Sequence, residues 1–365
     1  MRRYILIVLT LTVGFLSAYD LNLKHDIWVR GSYTIPNPPE YALGAYYLPE
    51  LEYMPYESKS GKLDLMLGGY FRGEADLTQP ENESIVLKDT EFSAKADLYR
   101  AWVRWSSNRY EARLGLQKLN FGTAFILRNE QWFDSVDPRD AMGFTKGVWG
   151  ALFRYYTANN GTIWFWTILG DDELKGIEYI SSKMNSPEFG GRIQMPVFGA
   201  DQAVSYHFRR LDKDNIFLND NEHRIALDGR WDTFIGLWYE ATLSVYSNEK
   251  HSYHKYLTIG SDYTLNIGNG IHILAEHLYQ ATAMEAFLES ETEYNNTALQ
   301  LEYLIGLYNS LQGLSVYDWD TEKTEMYFAI TNTSDYLTTI LSYMISPSVT
   351  EDTKHTIQLS LRITF

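Results

Sequence analysis

Eight histidines are the first residues to weigh, because a histidine beside a carboxylate or a hydroxyl is a common start for a hydrolytic or metal site. His251 and His254 lie close to Glu249 at a spacing compatible with a metal ion, but in a short polar stretch with nothing to make it rigid. His272 and Glu276 are four residues apart, and Ser205 and His207 two apart. On an extended chain each pair shares a face but is separated by about 14 Å and about 7 Å, at roughly 3.4 Å per residue, too far for a nucleophile to touch its base. No glycine-rich phosphate loop, nucleophile elbow or dinucleotide fingerprint accompanies them. With no cysteine, thiolate zinc sites, iron–sulfur clusters and cysteine nucleophiles are excluded together. The expectation is no catalytic residue, no metal and no cofactor. A net charge of −16, from 47 acids against 31 bases with no basic patch, argues against a nucleic-acid partner.

A different chemistry is offered by charges on alternating stretches. Arg100, Arg104 and Arg113 fall on one face of neighbouring segments, beside Glu111 and Gln117. The polar stretch Leu119 to Thr145 carries Arg128, Glu130, Trp132, Asp134, Asp137, Arg139 and Asp140 around a rigid Asp137-Pro138. Acids on such a loop facing wall arginines across water would set up a transverse field that sorts solutes by charge and dipole. The alternative is a satisfied ladder of ion pairs. These twelve residues are the candidates for lining a constriction.

Charges on one face need an element whose two faces differ, and the dominant pattern supplies it. From Thr233 to Ser247, Ile235, Leu237, Tyr239, Ala241, Leu243 and Val245 alternate with Gly236, Trp238, Glu240, Thr242 and Ser244. Tyr110, Ala112, Leu114 and Leu116 alternate likewise with Glu111, Arg113, Gly115 and Gln117. Period two is the mark of a strand between two environments. Runs of this length exceed ordinary strands and suit a tilted membrane crossing, which needs about 9–11 residues. After residue 18 no apolar run is long enough for a spanning helix.

Sixteen strands read from Leu63 onward, near 63–76, 92–106, 109–118, 146–157, 161–170, 188–198, 201–210, 221–231, 233–247, 253–265, 270–282, 295–308, 311–318, 325–333, 336–346 and 353–365. Tight turns such as Ser107-Asn108 and Gly199-Ala200 alternate with long polar joins, the order expected of a barrel with one end on each side of a membrane. Asp26 to Thr34 and Ala45 to Tyr56 add two strands and keep that alternation, so eighteen is preferred to sixteen; a plug or extension over 19–62 is the alternative. Of the 55 aromatics, Trp105, Tyr110, Tyr156, Trp231, Tyr239, Tyr263, Tyr279, Tyr303, Tyr336 and Phe365 fall on or near strand ends, as headgroup girdles do. Trp102 and Trp238 point inward, and Trp132 and Phe133 are expected to face water or the lumen.

Both ends of the chain read as signals. Met1-Arg2-Arg3, the apolar Tyr4 to Phe15 and Leu16-Ser17-Ala18 compose a secretory signal over 1–18, whose removal takes the formal charge from −16 to −18. At the other end Ile357, Leu359, Leu361, Ile363 and Phe365 alternate with Gln358, Ser360, Arg362 and Thr364. This run resembles the C-terminal assembly signal of bacterial outer-membrane proteins. The segment Arg113-Leu114-Gly115-Leu116-Gln117 with Asn120-Phe121-Gly122 and Asp137-Pro138 is similar to one in porin-like families such as the phosphate-selective and alginate-export barrels, with Leu116 where a basic residue often stands. The resemblance implies a third exterior loop, Leu119 to Thr145, that narrows the barrel.

The sequence therefore predicts an all-β, transmembrane, antiparallel up-and-down barrel over 19–365 in the outer membrane of a Gram-negative-type bacterium. The function expected is porin-like passive diffusion of small hydrophilic solutes. Its other partners would be outer-membrane lipid and lipopolysaccharide, bridged by divalent cations to acidic loops or simply hydrated, and the barrel-assembly machinery; a homotrimer is compatible with the class. An outer-membrane lipase or protease and a plugged surface-binding barrel are the rivals.

Overall fold

The computed structural model describes residues 21–35, 40–78, 86–212, 221–247, 253–284, 290–347 and 353–365. The expected signal segment at 1–18, together with Glu249 and His251, lies outside them. Eighteen strands follow in chain order. The first four are long: β1 (Leu21–Ile35), β2 (Glu40–Ser58), β3 (Gly61–Thr78) and β4 (Val86–Ser106). Three short ones follow, β5 (Tyr110–Gln117), β6 (Val148–Tyr156) and β7 (Thr162–Leu169). Then come β8 (Pro187–Val197), β9 (Ala200–Arg210), β10 (Asn221–Asp232), β11 (Gly236–Tyr246), β12 (Tyr253–Leu265) and β13 (Ile271–Ala283). The last five are β14 (Thr292–Ile305), β15 (Asn309–Asp318), β16 (Lys323–Thr333), β17 (Leu337–Ser346) and β18 (Lys354–Thr364).

Every strand pairs antiparallel with its chain neighbours, and β1 pairs with β18 from Asp26–Thr364 to Ile35–His355, so the sheet closes on itself. Closure removes the two edges that an open sheet would present to hydrocarbon. Within 19–62 the described residues 21–35 and 40–58 form the first two strands, not a plug or an extension, and Asp26–Ile35 is the partner that β18 requires.

Burial is inverted relative to a water-soluble sheet. On β11 the inward Trp238, Glu240, Thr242 and Ser244 are buried while the outward Leu237 is half exposed. On β18 the inward Ser360 is buried, and Ile357, Leu359 and Ile363 are exposed. Around the barrel the outward positions carry Leu43, Leu67, Leu114, Phe165, Ile193, Leu227, Ile259, Leu301, Ile330 and Leu341, all exposed. An apolar belt of this extent is stable only against lipid. At the turn end it is bordered by ring contacts, Tyr56 on Trp105 at 5.9 Å, Trp231 on Tyr239 at 6.0 Å and Phe234 on Tyr263 at 5.2 Å. At the loop end, Tyr33 meets Tyr41 at 4.8 Å and Phe189 meets Phe208 at 4.9 Å.

The starts of β1, β2, β4 and β11 depart from those read above: Leu21 and Glu40 open the first two strands ahead of Asp26 and Ala45. β11 starts at Gly236, and Thr233, Phe234 and Ile235 make the turn after β10, exposing Phe234 and Ile235 at the girdle. β4 starts at Val86, not near 92, but pairs with β5 only from Ala101–Leu116 to Ser106–Glu111. Above Ala101 its ladder runs to β3 alone, and the wall over β5, β6 and β7 is low.

Candidate functional site

The low wall exists because the chain leaves it early. β5 stops at Gln117, whose buried side chain donates to the Gly150 carbonyl at 3.0 Å, and the next thirty residues, loop 3 (118–147), turn into the barrel. Apolar residues drive the entry: Leu119, Phe121, Trp132 and Phe133 pack with the inward Leu152, Trp166, Ile168 and Ala226. Phe121 stacks on Trp166 at 5.4 Å, and the edge of Phe133 meets His207 at 4.9 Å.

Two carboxylates from the far wall then hold the loop backbone. Glu240 on β11 accepts four amides, those of Thr123 and Ala124 on Oε1 at 2.6 and 2.7 Å and those of Asn129 and Glu130 on Oε2 at 2.9 and 3.0 Å. Glu276 on β13 accepts three, from Phe125 on Oε1 at 2.7 Å and from Ile126 and Leu127 on Oε2 at 2.9 and 2.6 Å. The Trp238 indole N–H also donates to Glu276, at 2.9 Å. Between them, on β12, Thr258 donates to the Leu127 carbonyl at 2.7 Å and receives the Asn129 side-chain amide at 3.0 Å. Backbone amides buried in a lumen need acceptors, and a carboxylate is the strongest available. Two glycines permit the approach. Gly122, at φ +97°, lies where a Cβ would be 2.3 Å from Glu240 Oε1, and a Cβ at Gly260 would strike the Trp238 ring.

The returning limb crosses to the opposite wall. Asp140 pairs with Arg30 of β1, Arg139 with Glu325 of β16, and Phe144 stacks on Tyr70 of β3 at 4.1 Å. Ile126, Leu127, Met142 and Phe144 rest on an inward apolar patch of Trp28, Tyr70, Tyr99, Leu314 and Tyr327. Loop 3 is thus suspended across the lumen. A second loop, residues 170–186, lies on it, with the Ile177 amide donating to the Gln131 carbonyl at 3.0 Å. Its Lys175 reaches Glu188 at 2.9 Å, and its Glu178 reaches Arg209 at 3.0 Å and Arg224 at 3.4 Å. Both arginines also bind Glu222, at 2.5 and 2.7 Å. Under the first limb of loop 3 lies a polar cavity of ≈ 440 Å³ bordered by Asn120, Arg128, Arg192, Gln194, Asp201 and Arg230.

The wall arginines form the ladder of ion pairs given above as the alternative to a transverse field. Arg104 binds Asp64 at 2.9 Å, Arg113 binds Glu111 at 2.9 Å, and the two guanidiniums flank Trp102 at 5.2 and 4.9 Å. The loop acids do not face them. Asp134 takes Arg128 at 2.8 Å, Asp137 takes Arg139 at 2.9 Å, and Glu130 takes Arg192 of β8 at 3.1 Å. Charge is neutralised by the nearest arginine of the loop or of the wall that the loop reaches, and loop 3 reaches past β4 and β5. Burial opposes ionisation of Asp137, yet the hydrogen bonds and charge of Arg139 hold its carboxyl below the usual range. Arg100 is the exception on the wall: it donates to the carbonyls of Tyr99 and Thr145, with no carboxylate partner among the described residues. Lys118 sits where loop 3 leaves the wall; burial lowers its pKa, Arg100 and Arg128 add to the effect and Asp134 opposes it. Trp132 and Phe133 do not face water but are buried at 1 % and 4 % exposure. The rejected pairs stay apart: His272 binds Asp262, His207 binds Glu188, and Ser205 serves Arg192. No group of three metal-ligating side chains occurs among the described residues. In the sequence Glu240 shares the inward face of Trp238 and Glu276 shares a face with His272; nothing in their surroundings marks them as acceptors for loop amides.

No family model matches the chain. No curated protein matches it either. Solved structures do. Pseudomonas aeruginosa OccK7 (OpdD) superposes with a TM-score of 0.61 at 11 % identity, over 95 % of this chain and 99 % of that one. Salmonella typhi OmpF, in complex with daunomycin, gives 0.54 at 10 % identity over 95 % and 98 %. An anion-selective porin from Comamonas acidovorans gives 0.51 at 12 % identity over 95 % and 100 %. With its closed antiparallel barrel, apolar belt and inward third loop, the chain has the fold of the outer-membrane porins.

Proposed function

We propose that the chain is a passive diffusion channel for small hydrophilic solutes across the outer membrane, with loop 3 as its constriction. The observation that carries this reading is a closed barrel, apolar outside and ionised inside, with one loop held across the lumen by named wall residues. The belt meets lipid and lipopolysaccharide, the terminal strand with Ile357, Leu359, Leu361, Ile363 and Phe365 is what the assembly machinery reads, and no step of the mechanism breaks a bond. Selectivity comes from width and wall charge. The pairs Arg104–Asp64, Arg113–Glu111 and Arg128–Asp134 are neutral to a passing solute, whereas Arg100 and Lys118 are cations without a carboxylate of their own among the described residues. These two cations draw anions to their side of the neck. Purified, heat-modifiable protein should give discrete conductance steps in a planar bilayer; a silent bilayer rejects the channel. The entry of two loops favours a second reading, a plugged surface-binding barrel, and that silent result is the one it expects.

A further inference from the structure

The first limb of loop 3 docks on the wall through a cluster whose charges do not balance. Arg192 of β8 gives Nη1 to Glu130 Oε2 at 3.1 Å and to Asp228 Oδ2 at 2.5 Å, and Nη2 to Asp228 Oδ1 at 2.8 Å. Ser205 of β9 bridges the two, its hydroxyl accepting from Arg192 at 2.9 Å and donating to Glu130 Oε2 at 3.3 Å. The Glu130 backbone N–H is spent on Glu240, so a third carboxylate stands next to the first two. Side chains of Glu130, Asp228 and Arg192 are 0 %, 1 % and 4 % exposed. The other charges around them are committed. Arg128 of loop 3 is held by Asp134 at 2.8 Å, and beyond Trp132 the ring of His207 is bound to Glu188 at 3.1 Å. One guanidinium thus answers to three buried carboxylates, and Glu130 Oε1 is buried with no hydrogen-bond partner.

Buried carboxylates in excess of their cation do not all ionise; the site takes up a proton instead. A neutral Glu130 turns its orphan oxygen into an O–H donor beside Asp228 and removes one negative charge. We propose that Glu130 carries a proton where it docks beside Asp228 and Arg192, and that this bound proton latches the first limb of loop 3 to β8, β9 and β10, making the constriction responsive to pH. The proposal rests on loop 3 being the constriction, but the latch itself is a property of the docked loop.

The sign follows from linkage. Burial raises the Glu130 pKa well above its ordinary value, the charges of Asp228 and Glu240 add to this, and Arg192 opposes. A loop released into water returns Glu130 to the ordinary value, so the docked state binds more protons. The proton's contribution to docking is full below the ordinary glutamate pKa of about 4.3 and falls about tenfold per pH unit above it, until the raised value is passed.

The chain has no cysteine, so an Ala124→Cys substitution gives a unique thiol on the docked limb, at a site 7 % exposed. Its maleimide labelling rate is measured from pH 5 to 9 with and without Glu130→Gln, the uncharged isostere of the protonated acid. Taking the ratio of the two rates at each pH cancels thiol ionisation. The expected ratio, parent over Glu130→Gln, climbs with pH across the window, and Asp228→Asn flattens the profile in the same way as Glu130→Gln. A ratio flat within twofold overturns the latch. If Glu130→Gln does not fold, the comparison is made against Asp228→Asn, with the same two outcomes. Labelling needs no conduction, so a silent bilayer sinks the channel reading alone, and a flat ratio in a conducting protein sinks the latch alone.

Discussion

Replacing Glu240 by Gln tests whether loop 3 is held by its backbone. The carboxylate accepts two amides on each oxygen, at 2.6 and 2.7 Å on one and 2.9 and 3.0 Å on the other. The amide keeps one acceptor oxygen and turns an NH₂ toward the second pair of N–H groups, so two charge-assisted hydrogen bonds vanish. At about 1.5–3 kcal/mol for each bond to a charged group, the loop loses about 3–6 kcal/mol of docking energy. With about 1.4 kcal/mol per factor of ten, the undocked population rises by two to four powers of ten. The barrel itself closes through strand pairs that Glu240 does not make with its side chain, so heat-modifiability should be kept. Single-channel recording in 1 M KCl should therefore show noisier and larger steps in Glu240→Gln than in the parent. Steps of unchanged size and noise, from protein that still shifts on heating, refute the tether.

Three further outcomes follow from partners already described. Arg100→Ala with Lys118→Ala should move the reversal potential in a KCl gradient toward cation selectivity, whereas Arg104→Ala, whose charge is already answered by Asp64, should move it less. Arg209→Met strands Glu222 and Glu178 without one of their two arginines; breaking a buried network costs about 3–5 kcal/mol, so the heat-modification temperature should fall clearly. Arg139→Ala removes pairs to Asp137 and Glu325 that are a third or more exposed, worth about 0–1 kcal/mol, and should leave that temperature nearly unchanged.

The fold was legible because lipid and lumen impose opposite demands on alternate residues. Leu237 and Trp238, or Ile357 and Gln358, could be assigned to faces without any neighbour being known, and most strand ends then followed closely, while β1, β2 and β4 start earlier in the chain than the alternation shows. The misplaced start of β11 came from Phe234 and Ile235, which sit in a turn yet are apolar because the turn lies in the girdle. The site was legible only as a region. Loop 3 was marked by its length and composition, but its tethers are backbone N–H groups, which every residue carries, so no pattern in Thr123 to Glu130 points to Glu240 or Glu276. The choice between a transverse field and an ion-pair ladder stayed open in the sequence for a related reason: Asp137 and Arg139, or Arg128 and Asp134, are near enough in the chain to satisfy each other, and local pairing wins over pairing across a gap. Trp132 and Phe133 were expected to face water or the lumen because loops do; a loop inside a barrel needs a core of its own, and Trp166 and His207 supply it.

The low wall at β5 also has a mechanical meaning. β3 and β4 are laced together from Lys62–Ser106 up to Thr78–Val86, and the seam between the chain ends runs from Asp26–Thr364 to Ile35–His355. Between β4 and β5 the lacing stops at Ala101–Leu116. The shortest zipper in the cylinder is therefore not the seam between β1 and β18 but one inside the chain, and a barrel stretched to failure would tear along β4, with loop 3 and the wall carboxylates Glu240 and Glu276 acting as the crossbar that resists it.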